Sequence, residues 1–228
     1  MSFDHSSPVN TKNVGLRVRH EPSLTRKTPP HLRLKVGRMI LSSRFEQALT
    51  YAAIVHAGQV RKSTTIPYLS HLLAVAGLVL EHGGDEDEAI AALLHDAVED
   101  SGGQTRLADI RQRFGNRVAE IVLGCTDADT IPKPPWQARK EAYIAHLEQV
   151  SPSARLVSCC DKLHNCRTIV SDLYLYGDEV WKKFTGQRDG SLWYYATLLA
   201  EYQRLGVPKP LVDELSRTVQ SMHALATP

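Results

Sequence analysis

The chain has 228 residues, 43% of them hydrophobic and 23% charged, with 14 Gly and 12 Pro. These proportions are ordinary for a globular domain and exclude a collagen-like repeat, a wholly disordered chain and a disulfide scaffold. The net charge of +2 divides unevenly: residues 1–40 hold eight Lys/Arg against two acids, and the remainder is net −4, without the clustered basic face that a nucleic-acid-binding domain needs.

Residues 1–40 are interrupted by Pro8, Pro22, Pro29 and Pro30 and read as a basic, poorly ordered N-terminal arm; residues 41–228 read as one domain. From about Ser42 the apolar spacing of Phe45, Leu49, Ala52 and Val55 predicts a helix that stops at Gly58. Gln59–Pro67 is polar and basic, a loop. Tyr68–Glu81 is apolar nearly all round, which predicts a central buried helix. Asp85 is placed to cap a third helix running from Glu86 to about Asp100, with Glu86, Asp87 and Glu88 in the first turn where the helix dipole favours acids. Shorter helices are expected at Thr105–Phe114 and Arg117–Thr126, separated by Gly115, and then a proline-rich loop at Asp127–Pro135. Trp136–Gln149 is helical in pattern. Ser151 as N-cap and Pro152 at the first helical position start a long helix to about Gly177, and Ser191–Leu205 and Leu211–Ala226 supply the last two. With no alternating period and no internal repeat, the expected class is all-α.

Cys125, Cys159, Cys160 and Cys166 contain no CxxC spacing, and no secretory leader precedes them. Reduced thiols in a cytoplasmic protein are the expectation. The longest apolar run, Leu72–Leu80, has nine residues, too few to span a bilayer.

Several polar residues sit inside the most apolar helices. His71 lies within Tyr68–Ala76, His95-Asp96 follows Ala91-Ala92-Leu93-Leu94, and Asp161 follows Leu156–Cys160. An isolated buried carboxylate costs several kcal/mol or neutralises itself. Two imidazoles and two carboxylates converging on a divalent cation would remove that cost. On a continuous helix His95 and Asp96 differ by about 100°, so the ion would sit over the seam between their faces. Mixed imidazole and carboxylate donors suit manganese, iron, nickel or zinc better than calcium, without choosing among them.

Glu99, four residues after His95, projects from the same predicted face, and Asp100 follows it. Carboxylates beside a metal site can orient a water and take its proton. Asn165 and Thr168 lie four and seven residues after Asp161, so they share its helical face; neutral hydrogen-bonding groups there suit a sugar, base or phosphate. Arg61-Lys62-Ser63, in the loop before His71, points to an anionic substrate.

Gly58–Lys62, Ile66–His71, His95-Asp96-Ala97-Val98-Glu99-Asp100 and Asp161-Lys162-Leu163-His164-Asn165 together resemble the hydrolase domain of the RelA/SpoT homologues, a branch of the HD phosphohydrolase superfamily, over roughly residues 42–205. The resemblance implies a single-domain helical bundle of the HD type: a stand-alone small alarmone hydrolase. The implied reaction is removal of the 3′-pyrophosphate from guanosine 3′,5′-bis-pyrophosphate (ppGpp) or its pentaphosphate relative, giving GDP or GTP and pyrophosphate, with one Mn²⁺. It implies His71, His95, Asp96 and Asp161 as metal ligands and Glu99 and Asp100 as the water-activating pair. Arg61, Lys62, Ser63, Asn165 and Thr168 match substrate contacts, and Arg188 and Tyr194 belong to a further family-like stretch that closes over the nucleotide. The expected partner is thus a small nucleotide, with neither nucleic acid nor membrane. An adenine alarmone, NADPH, another phosphorylated nucleotide and a non-catalytic alarmone sensor remain alternative readings.

Overall fold

The computed structural model describes residues 40–127 and 134–226. The expected N-terminal arm lies, apart from Ile40, outside the described residues, as does the middle of the loop expected at 127–135. Among the described residues there are ten α-helices and one 3-10 helix, with no strand beyond an isolated bridge between Val60 and Pro67. No helix among them is long and apolar enough to cross a membrane. All four cysteines are buried and unpaired.

Helix α1 (Ser43–Val55) begins where the Ser42 side chain accepts the Arg44 amide hydrogen. Helix α2 (Leu69–Glu81) follows the Gln59–Pro67 loop. Helix α3 (Glu86–Leu94) starts in a full capping box: Asp85 accepts from the Glu88 amide, and the Glu88 carboxylate accepts from the Asp85 amide. Its acidic first turn is further held by Arg44, which pairs with Glu86 and Asp87, and by Arg117, which pairs with Asp85 and Asp87.

The expected single helix from Glu86 to Asp100 is in fact two. It breaks at His95-Asp96 and resumes as the single turn α4 (Ala97–Asp100). The physical reason is local: the Ala92 carbonyl, which in a continuous helix would accept the Asp96 amide, accepts the His95 Nδ1–H at 2.8 Å. Helices α5 (Gly103–Phe114) and α6 (Asn116–Cys125) follow, joined at Gly115, whose φ of 96° is open to glycine.

Helix α7 (Trp136–His146) ends a turn before the expected Gln149, and α8 (Pro152–Tyr176) is capped by Ser151 with Pro in its first turn, as expected. A 3-10 helix (Gly177–Lys183), not foreseen from the sequence, leads into α9 (Gln187–Arg204), and α10 (Lys209–Ala226) closes the bundle.

Helix α3 is the hub: Ala89 through Leu94 are all buried, and it packs against α1, α2, α6 and α8. Leu72, Ile90, Leu93 and Leu94 are wholly enclosed, each contributing about 1.5–3 kcal/mol of burial. Helix α8 runs alongside α2, α6 and α10, crossing α6 where Gly124 meets Ala154 so closely that a Cβ on Gly124 would stand 2.8 Å from the alanine methyl. This packing brings the middle of α8, the first turn of α2 and the break after α3 to one place.

Candidate active site

His71 from α2, His95 from the break after α3 and Asp161 from α8 each offer a ligand atom, and these atoms lie within 4.8 Å of one another. His71 Nε2 is 3.1 Å and His95 Nε2 3.6 Å from Asp161 Oδ1. Asp96 joins them, its Oδ2 lying 3.0 Å from His95 Nε2 and 3.6 Å from His71 Nε2. The neighbours His95 and Asp96 reach one point, as the expected position over the seam between their faces requires.

The donor chemistry fits a divalent cation. Both imidazole Nε2 atoms are sealed from solvent and, although 3.0–3.1 Å from a carboxylate oxygen, have no well-aligned hydrogen bond; a metal ion held between imidazoles and carboxylates satisfies both. His95 Nδ1 carries the hydrogen that goes to Ala92, which leaves Nε2 as the atom that takes a proton or, in exchange for it, a metal ion. Burial by itself would neutralise these groups. It is outweighed in His95, held well above its usual pKa by Asp96 and Asp161, and in the two carboxylates, held well below theirs by the facing imidazoles and, for Asp161, foremost by Lys162. Two ionised carboxylates at the bottom of a buried site attract positive charge, whether proton or metal.

The surrounding residues orient these donors. Tyr68 donates its hydroxyl to Asp96 Oδ2 at 2.6 Å, and the Lys162 ammonium bonds Asp161 Oδ2. Asn165 donates to Asp161 Oδ1 at 2.5 Å while its own Oδ1 accepts from Arg61 at 2.7 Å. His71 Nδ1 lies 2.8 Å from His164 Nδ1. Burial, with the charges of His71 and Arg61 nearby, lowers the His164 pKa to about 4.

Of the two acids expected to activate water, Glu99 Oε2 accepts the Asp127 amide at 3.4 Å, and Asp100 Oδ2 accepts from Gln59 Nε2 at 2.8 Å. Gln59 is itself anchored, its Oε1 2.6 Å from Nδ1 of the buried His56, whose ring stacks on Tyr68. Burial, then the charges of Asp96 and Glu99, raise the Asp100 pKa against the lowering effect of Gln59.

A cavity of about 550 Å³ lies next to this cluster, bordered by residues bonded to it. Tyr68, Lys162, His164 and Asn165, each bonded to a member of the His/Asp group, form part of its wall, so the group lies one residue behind that wall; His71, His95, Asp96, Asp161, Glu99 and Asp100 are not themselves lining residues. Arg61, Lys62, Thr168 and Tyr194 line it as expected, and Thr168 donates its hydroxyl to the His164 carbonyl. Two expected contacts are not part of the wall. Ser63 sits exposed at the tip of the turn between Arg61 and Thr64, with a φ of 60°, and Arg188 lies a turn before the α9 residues that reach the cavity, its Nε sealed and without a partner.

Sequence reasoning missed the α7 wall. Trp136, Arg139 and Lys140 line the cavity, both cations pair with Asp127, and Lys140 lies 4.9 Å above the Tyr194 ring. Burial, with Lys162 nearby, depresses the Lys140 pKa. The residues of the wall carry six cations (Arg61, Lys62, Arg139, Lys140, Lys162, Lys183) against one carboxylate, Asp172. His164 was within reach of the sequence, three residues after Asp161 on one helix. Nothing in the local pattern marked Arg139 and Lys140, because their place comes from α7 packing on α9.

The comparisons agree with this geometry. Residues 48–192 match the HD domain family. The chain is 40% identical over 126 residues to guanosine-3′,5′-bis(diphosphate) 3′-pyrophosphohydrolase MESH1 of Xenopus tropicalis, covering 54% of this chain and 68% of that protein. It is 35% identical over 162 residues to a guanosine-3′,5′-bis(diphosphate) 3′-pyrophosphohydrolase of Aquifex aeolicus, covering 71% of this chain and 21% of the relative. A solved structure described as a metazoan orthologue of SpoT that hydrolyses ppGpp superimposes with a TM-score of 0.67 at 28% identity, over 80% of this chain and 97% of that one. The all-α bundle, the converging His-His-Asp group and these likenesses have one meaning: this chain belongs to the HD domain family.

Proposed function

We propose that this chain is a divalent-metal-dependent hydrolase that removes the 3′-pyrophosphate of ppGpp or its pentaphosphate relative, yielding GDP or GTP and pyrophosphate, and that its ion is Mn²⁺. The observation that carries the reading is the convergence of the solvent-sealed Nε2 atoms of His71 and His95 on Asp96 and Asp161, behind the wall of a cavity lined by six cations and one acid. Arg139, Lys140, Lys162 and Lys183 are paired with Asp127, Asp161 and Asp172, and Arg61 and Lys62 have no carboxylate partner among the described residues, which suits an anionic, phosphorylated ligand. The names of the relatives, which specify this substrate and bond, support the same choice.

His71, His95, Asp96 and Asp161 would hold the ion. When bound, a divalent cation neutralises charge on phosphoryl oxygens and makes water more acidic. Water adds across the bond between ribose O3′ and phosphorus: the nucleotide keeps O3′ as a hydroxyl, and pyrophosphate leaves with the oxygen of the water. Gln59 occupies Oδ2 of Asp100, which leaves Oδ1 to accept a proton from that water, and Glu99 helps to orient it. Arg61 and Lys62 grip phosphate oxygens from the loop side, and Arg139 and Lys140 from the α7 side. Asn165, Thr168 and Tyr194 position the nucleoside.

The test is chromatographic product analysis of metal-stripped protein given ppGpp, its adenine counterpart or NADPH, each with and without Mn²⁺. Metal-dependent release of GDP and pyrophosphate is expected, with a loss of about 100-fold or more in kcat for Glu99→Gln and Asp100→Asn while both variants still bind Mn²⁺. Intact ppGpp in the presence of bound metal would overturn the reading; turnover of the adenine compound or NADPH instead would reassign the substrate, and binding without turnover would indicate a sensor.

A further inference from the structure

A metal-binding histidine needs its other ring nitrogen fixed by a partner, usually a carboxylate or a backbone carbonyl, and that partner sets which nitrogen is bare. His95 follows the rule through the Ala92 carbonyl. His71 does not: its Nδ1 faces another imidazole, that of His164, at 2.8 Å, with ring centroids 4.8 Å apart. A carbonyl can only accept, whereas an imidazole pair has two arrangements, with the hydrogen on either Nδ1. Only one of them leaves Nε2 of His71 bare toward His95 and Asp161, and Nε2 is the atom that lies at the convergence point. In that arrangement His71 Nδ1–H donates to His164, and the hydrogen of His164 is carried on its own Nε2, across the ring from His71. His164 lines the cavity.

We propose that His164 is a positioning residue with two faces: it fixes the tautomer of His71 for metal binding and offers its Nε2–H to an oxygen of the bound substrate, so that the substrate and the ligand sphere are joined through one ring. The inference rests on the metal reading of the site, not on which nucleotide is cleaved.

The experiment titrates full-length, metal-stripped protein with Mn²⁺, followed by the electron paramagnetic resonance signal of free Mn²⁺, for the wild type, His164→Ala, His164→Leu and His164→Asn. The leucine variant keeps the packing volume in case alanine fails to fold, and far-UV circular dichroism in chelator checks the fold of each. Alanine and leucine should weaken Mn²⁺ binding by about 10- to 100-fold. Asparagine, whose Oδ1 can accept the His71 hydrogen in place of Nδ1, should restore Mn²⁺ affinity to near the wild-type value. It should still raise KM by about 3- to 10-fold, the loss of one hydrogen bond to substrate, with kcat little changed. Folded alanine and leucine variants that bind Mn²⁺ as the wild type does would overturn the proposal, as would an asparagine variant as weak as alanine. A wild type that binds no Mn²⁺ would overturn the metal reading and this inference together. Wild-type binding of Mn²⁺ with no ppGpp turnover would overturn only the substrate assignment, leaving the affinity comparison decisive for the tautomer.

Discussion

Replacing Gln59 with leucine removes two hydrogen bonds at once, and each has its own readout. The side chain donates to Asp100 Oδ2 at 2.8 Å and accepts from His56 Nδ1 at 2.6 Å. Asp100 already has a raised pKa, from burial first and then from Asp96 and Glu99, and the Gln59 donor is what opposes the rise. A hydrogen bond to a charged group is worth about 1.5–3 kcal/mol, and losing it disfavours the ionised carboxylate. Asp100 keeps part of its surface in water, which replaces part of the loss, so its pKa is expected to rise, but by less than that of a fully enclosed carboxylate. The proposed role needs the carboxylate, so activity falls as pH drops through the Asp100 pKa, and raising that pKa moves the acid limb to higher pH. The assay is the pH profile of kcat/KM on ppGpp at saturating Mn²⁺, wild type against Gln59→Leu. The second readout is stability: His56 is only 3% exposed, and stranding its Nδ1–H should cost about 1–3 kcal/mol in urea unfolding. An acid limb that stays in place or moves to lower pH would refute the link between Gln59 and the working carboxylate.

Three further outcomes are expected. Chelation should lower the melting temperature by about 5–10 °C relative to protein in a hundredfold excess of Mn²⁺ over its Kd, the thermal equivalent of about 2.7 kcal/mol, and readdition should restore it; because the imidazoles must give up protons to bind metal, Mn²⁺ affinity should weaken as pH falls, which a titration at two pH values checks. Gly186→Ala has no backbone strain to relieve at φ −74°, but its Cβ would stand 2.5 Å from two Trp136 ring carbons, so overpacking should cost about 1–3 kcal/mol and, because Trp136 lines the cavity, raise KM with less effect on kcat, as steady-state kinetics alongside a thermal melt will show.

Much of the molecule was legible before folding was considered. Asp85 with its acidic first turn, Ser151-Pro152 and Gly115 mark helix ends through local hydrogen bonding and backbone freedom, and all three behave as expected. His71, His95, Asp96 and Asp161 stood out because a polar group in an apolar helix demands a partner. The break at His95 was not legible: it depends on a side chain taking a carbonyl that periodicity assigns to the backbone. Ser63 and Arg188 were placed by motif position alone, and side-chain direction in a turn and at a helix start is not determined by motif position.

The amino-acid sequence by itself determined the all-α class, most helix boundaries to within a turn or so, the end of α3 excepted, and which buried polar side chains are candidates to bind metal, because these follow from period, capping chemistry and the cost of burying charge. Tertiary structure alone decided how they meet. It brought α2, α8 and the broken end of α3 together so that three ligand atoms lie within 4.8 Å. It set His164 behind His71 and Gln59 behind Asp100, and it carried Arg139 and Lys140 across the chain onto the cavity wall. Those pairings span up to 93 residues of sequence. No local pattern encodes them, because they exist only once the apolar faces of separate helices have packed against one another.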